Sequence, residues 1–199
     1  MRIIAGEFRH RILSSPPTRT TRPITDRAKQ SLFDALTVAV DLSGGVVLDC
    51  FSGTGSMGLE CLSRGAGRAI FVERDRAALA GLGKNIATLG VVSQCRVLAM
   101  DAYRLGPATL ALPPDWGDLR LAFVDPPYAH LQELGTRSLL DGLVETLASG
   151  RMAVGGLIIL RHAMATDLSE MALARRIVRR LQYGTMAITW LKSGVLPRT

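Results

Sequence analysis

A glycine-rich loop between a short apolar run and a helical pattern is the feature that most limits what this chain can fold into. The run at 46–48 consists of valine and leucine, and the segment 49–58 follows it with the glycine spacing G-x-G-x-x-G. Glu73 stands at the end of the next apolar run, where an acid accepts hydrogen bonds from ribose hydroxyls. This arrangement predicts a Rossmann-like nucleotide site, and the loop alone leaves open NAD or S-adenosylmethionine as its ligand.

Apolar runs and amphipathic stretches alternate through the middle of the chain. The predicted strands are 46–48, 69–72, 95–99, 119–124 and 154–160, and the predicted helices are 56–64, 75–89, 102–112 and 133–148. Alternation of this kind predicts an α/β fold with a parallel sheet and helices on both faces. Two further strands, 176–183 and 186–191, meet at Gly184-Thr185, which predicts an antiparallel hairpin.

The beginning of the chain has a different character from the middle. We expect residues 1–45 to form a basic extension, with a small hairpin of 2–6 and 11–13, a proline-rich loop and a helix that starts at Thr25 or Asp26. Residues 46–199 then form the main domain.

The net charge of the chain is +7, of which residues 1–29 carry +5, residues 175–199 carry +6 and the middle carries −4. Positive charge at both ends favours a polyanionic partner such as nucleic acid, against a merely solvated basic surface.

Three acids at the ends of successive predicted strands narrow the choice of ligand. Asp49 lies just before the glycine loop, where a carboxylate would repel a pyrophosphate but attract the ammonium and sulfonium of S-adenosylmethionine. Asp101 follows the third strand and can accept from an adenine amino group, with the Ala102 amide beside it. Since parallel strands end at one edge of the sheet, Asp49, Glu73 and Asp101 should lie together there.

The fourth predicted strand ends in the tetrapeptide Asp125-Pro126-Pro127-Tyr128. An exocyclic amine of a nucleobase is a poor nucleophile because its lone pair is delocalised into the ring. The Asp125 carboxylate and the Pro126 carbonyl can both accept from such an amine and orient its lone pair towards a methyl group. Two prolines remove amide donors, and Tyr128 can stack on the base. The tetrapeptide predicts methylation of a base amine and serves guanine and adenine equally.

At these residues the sequence resembles the class I, Rossmann-like methyltransferases, and more closely the RsmD-type 16S rRNA (guanine-N2-)-methyltransferases of bacteria. The resemblance covers nearly the whole chain and rests on residues 1–9, 22–27, 32–33, 48–55, 59–60, 63–66, 71–75 and 125–128. It implies a mostly parallel seven-stranded sheet with an antiparallel terminal strand, and a guanine N2 of small-subunit rRNA as substrate. Asp34, the pair Lys29-Gln30 and Arg161 depart from the pattern of the family.

The resemblance and the residue chemistry together give the expected roles. The residues expected to bind S-adenosylmethionine are Asp49, Phe51, Ser52, Gly53, Thr54, Gly55, Glu73, Arg74, Asp101 and Ala102. Those expected to act on the base are Asp125, Pro126, Pro127 and Tyr128. Those expected to contact RNA are Arg2, Arg9, Arg11, Arg22, Thr25 and Arg27, with Arg179, Arg180 and Lys192 as further candidates. The alternatives are a DNA adenine-N6 methyltransferase, a non-catalytic RNA-binding assembly factor and a nicotinamide oxidoreductase.

The apolar runs, the cysteines and the histidines bear on where the protein acts and what it binds. No apolar run approaches the about 20 residues of a membrane span, so we expect no membrane partner. Cys50, Cys61 and Cys95 lack metal-ligand spacing, which favours buried thiols in the cytoplasm and no bound metal. We expect a monomer that acts on rRNA in a small ribosomal subunit or an assembly intermediate. The three histidines are interpreted as surface residues or local hydrogen-bonding groups.

Overall fold

A computed structural model describes residues 1–15, 24–110, 112–131 and 134–194. The helices are α1 (Asp26–Ala39), α2 (Ser56–Ser63), α3 (Arg76–Leu89) and α4 (Leu134–Ser149). The strands are β1 (Val46–Cys50), β2 (Arg68–Glu73), β3 (Cys95–Ala99), β4 (Leu119–Val124), β5 (Met152–Ala163), β6 (Ile177–Tyr183) and β7 (Met186–Lys192). Short 3₁₀ turns occupy Val92–Gln94, Ala102–Arg104, Tyr128–Leu131 and Ala172–Arg176.

The seven strands form one sheet in the order β3-β2-β1-β4-β5-β7-β6. Strands β1 to β5 pair in parallel, and β7 runs antiparallel to both β5 and β6. The chain reverses direction in strand order beside β1, because β2 lies on one side of β1 and β4 on the other. Ligands of open α/β sheets bind at such a switch point, beyond the carboxyl ends of the strands. The predicted α/β fold with a terminal antiparallel strand is confirmed.

Local sequence explains where the central elements begin and end. All five residues of β1 are buried, as expected for a central parallel strand covered on both faces. Asp75 caps the start of α3, because its carboxylate accepts from the Ala78 amide, and Gly90 caps the end in the left-handed conformation. Its buried side chains Ala78, Leu82 and Ile86 keep the spacing read from the sequence.

The predicted helix at 102–112 is wrong. Only Ala102–Arg104 forms a helical turn, followed by a further turn closed by the bond from the Leu110 amide to the Gly106 carbonyl. Pro107 explains the difference, because a proline inside a helix lacks the amide donor and disfavours helical geometry in the residue before it. Strand β5 is longer than predicted and includes Arg161, because it pairs with β7 as far as Ala163.

The first fifteen residues pack against the main sheet and its helices. Arg2 and Ile12 form an antiparallel bridge, and the Ile3 amide donates to the Arg11 carbonyl at 3.0 Å, so the small predicted hairpin is present. Ile3 and Leu13 are buried in the same hydrophobic cluster as Phe71 of β2. The boundary at residue 45 stays a prediction, although the described part of the extension shares its core with the sheet.

Charged side chains fasten this segment to α2. Glu60 of α2 is fully buried, and its carboxylate accepts from the amides of Ile4 at 2.8 Å and Ala5 at 3.1 Å. The Lys29 ammonium lies 2.9 Å from the same carboxylate, and Arg64 Nε donates to it at 2.9 Å. Lys29 also donates to the Arg2 carbonyl and to Ser56 Oγ. We call Lys29, Glu60 and Arg64 the anchor cluster.

Three further features concern the cysteines, the length of the helices and one histidine. Cys50 and Cys61 are buried, Cys95 is half-buried, and all three are free thiols. In the part of the chain that the structure describes, no helix is long and apolar enough to cross a membrane. His162 is fully buried and hydrogen-bonds Thr189 at 2.8 Å, so it is a local hydrogen-bonding residue in the core.

Candidate active site

The glycine loop turns sharply at the end of β1. Phe51 adopts a φ of 58°, which is rare for a residue with a side chain, and Gly53 a φ of 55°. The Gly53 amide donates to Glu73 Oε2 at 2.8 Å, which joins the loop to the end of β2. A Cβ on Gly53 would meet nothing, whereas one on Gly58 would lie 2.4 Å from the Phe71 ring. Gly58 therefore permits close helix–strand packing, and Gly53 leaves open space at the cleft.

Glu73 and Asp101 face the same cleft, as predicted from the strand ends. Besides the Gly53 amide, Glu73 accepts from the amides of Arg74 and Asp75 through Oε1. Asp101 accepts from Arg74 Nη1 at 2.9 Å and from the Tyr103 amide at 3.1 Å. Carboxylate oxygens have about four acceptor sites between them, so both acids keep capacity for a ligand hydroxyl or amine.

These residues border a cleft of about 390 Å³. Its lining includes Gly53, Glu73, Arg74, Asp101, Ala102, Asp125, Pro127 and His130. Phe51 also lines it and packs edge-on against Tyr103, with ring centroids 5.0 Å apart. Tyr103 in turn contacts His130 through a 3.2 Å hydrogen bond at Nδ1. A polar rim with aromatic walls suits a nucleoside, whose base is flat and whose ribose carries hydroxyls.

A second cavity of about 340 Å³ lies on the other side of the loop. Apolar side chains from both the N-terminal region and the sheet line it, among them Ile24, Leu32, Met57, Phe123, Ile159 and Ile188. Its polar lining includes Asp49, Asp125 and Arg161. Phe51, Gly53 and Asp125 border both cavities, so the two spaces meet at the end of β4.

Asp49 is buried in this second cavity and is held by one amide. Only 2% of Asp49 is exposed, and its carboxylate accepts from the Gly58 amide at 2.9 Å. Burial, with a smaller contribution from the nearby Asp125 carboxylate, raises the pKa of Asp49 to about 7. A cationic group placed beside it would favour the ionised form, which is consistent with the expected attraction for an ammonium or sulfonium.

Asp125 stands one residue beyond β4, beside Arg161 of β5. Arg161 Nε donates to Asp125 Oδ1 at 2.6 Å. Burial raises the pKa of Asp125, while the Arg161 guanidinium opposes that rise. Pro126 is buried and Pro127 lines the cleft, with its carbonyl accepting from the His130 amide. The side chain of Tyr128 lies outside the described part of the structure, so its stacking role stays a prediction.

The donor and acceptor set permits a test of the expected cofactor. Ser52 Oγ and Thr54 Oγ1 are buried without a hydrogen-bond partner among the described residues. Such orphaned groups are uncommon unless a ligand or water satisfies them. Together with the open space at Gly53 and the acids Glu73 and Asp101, they fit the polar atoms of S-adenosylmethionine. No group of metal-ligating side chains is found among the residues that the structure describes.

The residues predicted to contact RNA fall into two groups. Arg9, Arg11 and Arg27 are exposed on the N-terminal region, and Arg2 forms an exposed pair with Asp26 at 2.7 Å. Thr25 caps α1, because Thr25 Oγ1 accepts from the Ala28 amide.

The second basic group lies on the terminal strands, where Arg179, Arg180 and Lys192 are exposed. Arg180 Nη2 donates to the Met164 carbonyl, and the Arg179 guanidinium lies over the Trp190 ring. Arg22 lies outside the described residues. Contact with RNA stays a prediction for both groups.

Sequence reasoning missed two residues that shape the site. Asn85 of α3 accepts from the Ser14 amide at 2.7 Å and donates to the Thr54 carbonyl at 2.9 Å, which ties the N-terminal segment to the glycine loop. Arg161 was noted only as a departure from the family pattern. The sequence does carry a signal for Asn85, because this polar residue falls on the face of α3 that the apolar spacing predicts to be buried, next to Ile86.

Comparison with known proteins identifies the family to which the chain belongs. Residues 1–192 match the family model described as Conserved hypothetical protein 95. The chain belongs to this family. It is 31% identical to YlbH of Bacillus subtilis over 192 residues, which are 96% of this chain and 98% of the relative.

A second relative is ribosomal RNA small subunit methyltransferase D of Escherichia coli, 40% identical over 170 residues. The match covers 84% of this chain and 77% of the relative. The solved structure of yhhF from Escherichia coli superposes with a TM-score of 0.73 at 31% identity, covering 98% of this chain and 99% of that one. The resemblance to the RsmD-type family is confirmed, and with it the Rossmann-like fold of a methyltransferase family.

Proposed function

We propose that this protein transfers a methyl group from S-adenosylmethionine to the exocyclic N2 of a guanine in small-subunit 16S rRNA. The observation that carries the proposal is the position of Asp125, which borders both cavities where they meet. A cofactor whose nucleoside occupies the cleft and whose remainder extends into the second cavity would bring its methyl group to this carboxylate, beside a base held in the second cavity. The printed name of the Escherichia coli relative supports rRNA as the substrate class.

The cleft beside Glu73 would hold the nucleoside part of the cofactor. Glu73 would accept from the ribose hydroxyls, and Asp101 with the Ala102 amide would contact the adenine. Arg74 pairs with Asp101 and would fix its orientation. Asp49, Phe51, Ser52, Thr54 and Gly55 would surround the remainder of the cofactor. When bound, S-adenosylmethionine supplies an electrophilic methyl group on a positively charged sulfur.

Asp125 and Pro126 would orient the amine of the base. The carboxylate and the Pro126 carbonyl each accept from one amine N–H, which directs the nitrogen lone pair at the methyl carbon. The new N–C bond would form as the bond between the methyl carbon and sulfur breaks, with the electron pair of that bond leaving on S-adenosylhomocysteine. Positive charge would then develop on the nitrogen, where the ionised Asp125 carboxylate would stabilise it. The nitrogen then loses one proton to solvent, leaving a secondary amine. Pro127 keeps the loop rigid, and Tyr128 would stack on the base.

The exposed arginines of the N-terminal region would hold the RNA phosphates. Arg2, Arg9 and Arg11 lie on the N-terminal segment and Arg27 lies on α1, and Met1, Ser15 and Ile24 of the same part of the chain line the second cavity. Phosphate contacts position a nucleic acid without reading its sequence. We therefore expect the rRNA, free or within a small subunit or its assembly intermediate, to be gripped beside the base pocket by a monomeric, cytoplasmic enzyme.

The decisive experiment is methyl transfer by the purified protein, followed by mass spectrometry of the nucleosides. Unmodified 16S rRNA, small ribosomal subunits and double-stranded DNA are the three substrates, and N2-methylguanosine should appear only with the first two. Asp125→Asn should lower the rate about 10²- to 10³-fold, by comparison with the loss of one transition-state hydrogen bond. Titration with S-adenosylhomocysteine should show that this variant still binds the cofactor product.

Each competing function has its own outcome in the same experiment. N6-methyladenine in the DNA would favour the DNA methyltransferase alternative. Failure to bind S-adenosylhomocysteine would favour a non-catalytic assembly role. Full activity of Asp125→Asn would contradict the role proposed for the tetrapeptide. The matched control is Asp115→Asn, an exposed aspartate remote from both cavities, which should leave the rate unchanged.

A further inference from the structure

The sheet register places Arg161 beside Asp125. Val124 of β4 pairs with Leu160 of β5, so the next residues along these parallel strands, Asp125 and Arg161, lie side by side. Antiparallel pairing of Arg161 with Ile188 of β7 holds the backbone of Arg161 within the sheet. The side chain of Arg161 is 12% exposed and that of Asp125 is 24% exposed, so the two form a largely desolvated pair at the cavity wall.

Two carboxyl groups compete for ionisation in this cavity. Asp49 and Asp125 both line it, and the nearby Asp125 carboxylate contributes to the raised pKa of Asp49. Arg161 is the basic side chain that lines the cavity with them among the described residues. The other ionisable groups that share a cavity wall with Asp125 are the amino terminus of Met1 in this cavity and, across the neighbouring cleft, Glu73, Arg74, Asp75, Asp101 and His130.

We propose that Arg161 is a positioning residue, which keeps Asp125 ionised before substrate binds and fixes one carboxylate oxygen so that the other faces the target amine. This inference rests on the proposed function, because it assigns a task to the same carboxylate. Among the described residues, the hydrogen bond to Asp125 comes from Arg161 and goes to Oδ1. Oδ2 therefore remains the oxygen for the base.

The ionised state of Asp125 is what the chemistry requires. A carboxylate accepts a hydrogen bond from an amine N–H, whereas a protonated carboxyl would donate to the nitrogen lone pair that must attack the methyl group. Burial favours the protonated form, and a guanidinium in contact opposes it without being able to lose its own proton. Bonding through Nε also restricts the rotation of the carboxylate, which a diffuse positive potential would not do.

The test is the pH dependence of kcat/KM for the full-length protein on small ribosomal subunits, from about pH 6 to about pH 9. Arg161→Gln removes the charge and keeps a hydrogen-bond donor, and Arg161→Lys restores the charge. The matched control is Arg151→Gln, which removes an exposed arginine that lies just before the first residue of β5. S-adenosylhomocysteine titration at the upper pH shows whether each variant retains a folded cofactor site.

For Arg161→Gln we expect the acidic limb of the profile to move to higher pH. Each unit of movement lowers kcat/KM about tenfold on the acidic side. Activity should recover towards the parent value at high pH, where Asp125 ionises unaided. Arg161→Lys should restore most of the parent profile, and Arg151→Gln should reproduce it.

Two results would overturn the inference while leaving the proposed function intact. One is a profile for Arg161→Gln that coincides with that of the parent. The other is an equal loss of activity at every pH by a variant that still binds S-adenosylhomocysteine, since that indicates a role unrelated to ionisation. Failure of the proposed function is seen separately, as full activity of Asp125→Asn.

Discussion

The anchor cluster and the carboxylate pocket are both groups of buried charge, but their hydrogen bonding differs. In the anchor cluster, Glu60 accepts from two backbone amides, Lys29 and Arg64. In the carboxylate pocket, by which we mean Asp49, Asp125 and Arg161, each acid accepts one hydrogen bond from the described residues. The first cluster is complete within the protein, and the second retains acceptor capacity at a cavity.

The pKa values of the carboxyl groups in the two clusters shift in opposite directions, while burial lowers the pKa of Lys29 despite its pairing with Glu60. Burial alone would raise the pKa of Glu60, but the Lys29 ammonium and the amides outweigh it, and the net pKa is lowered. For Asp49 and Asp125 burial dominates, and the pKa of each is raised. A buried carboxylate that has its hydrogen-bond and charge partners, such as Glu60, helps to hold a docked segment. A buried carboxylate that lacks some of these partners, such as Asp49, destabilises the fold and remains available to a ligand.

The largest effect on stability is expected from Lys29→Met. Removing the ammonium leaves Glu60 buried with an incomplete set of charged partners, and the free energy of unfolding should fall by about 3–5 kcal/mol. Urea denaturation measures this change, with the exposed Lys84→Met as the matched control. The double variant Lys29→Met/Glu60→Gln should recover part of the loss, because the neutral amide needs no counter-charge. Equal free energies of unfolding for Lys29→Met and Lys84→Met would contradict a stabilising role of the anchor cluster.

Asp49→Asn is expected to raise the free energy of unfolding, by an amount that depends on pH. An unfolded aspartate ionises near pH 4, whereas Asp49 in the fold has a pKa of about 7. Between these values the unfolded chain has lost a proton that the fold keeps, so the parent loses stability as pH rises. The variant lacks this dependence and should gain about 3 kcal/mol relative to the parent by neutral pH.

The Asp49→Asn effect is measured by urea denaturation of both proteins across the pH range, in the absence of cofactor. The exposed Asp115→Asn provides the baseline for removing one carboxyl group. A constant difference between parent and variant from acid to neutral pH would show that Asp49 does not carry the buried charge. Cofactor binding should weaken in the variant, because its attraction for a cation is lost.

Asn85 is an uncharged side chain that connects the N-terminal segment to the glycine loop. It hydrogen-bonds Ser14 of the N-terminal segment and Thr54 of the glycine loop. Asn85→Ala leaves these backbone groups unpaired and should lower the free energy of unfolding by about 1–3 kcal/mol. It should also weaken S-adenosylhomocysteine binding in calorimetry. Asn85→Asp retains an acceptor for the Ser14 amide but turns a buried carboxylate oxygen towards the Ser14 and Thr54 carbonyls, so it should be at least as destabilising as alanine. An alanine variant with parental cofactor affinity would remove the proposed connection.

The smallest effect is expected at Thr25, where a capping role and an RNA role can be separated. Thr25→Ala removes the cap of α1 and should lower the free energy of unfolding by about 1 kcal/mol. Thr25→Ser keeps the hydroxyl acceptor and should retain parental stability. Filter binding to 16S rRNA at two salt concentrations measures the second role. A loss of affinity in both variants, at unchanged stability for serine, would assign Thr25 to the RNA surface.

Much of the fold and of the site could be predicted because their signals are local. The strand ends Asp49, Glu73, Asp101 and Asp125 follow apolar runs, and parallel strands necessarily bring such residues to one edge. The helix predicted at 102–112 was wrong because apolar spacing was given more weight than Pro107. Arg161 was placed after the fifth strand, since nothing in the local sequence shows that pairing with β7 continues the strand past it.

The fold class, the glycine loop and the set of acids at the carboxyl edge follow from periodicity and residue type, which are local properties of the sequence. Which charges have their partners depends instead on contacts between distant parts of the chain. Glu60 meets Ile4 and Lys29 across 56 and 31 positions of chain, and Arg161 meets Asp125 across 36. Desolvation and hydrogen bonding at such contacts set each pKa, so they separate the acids that stabilise the fold from those available for chemistry.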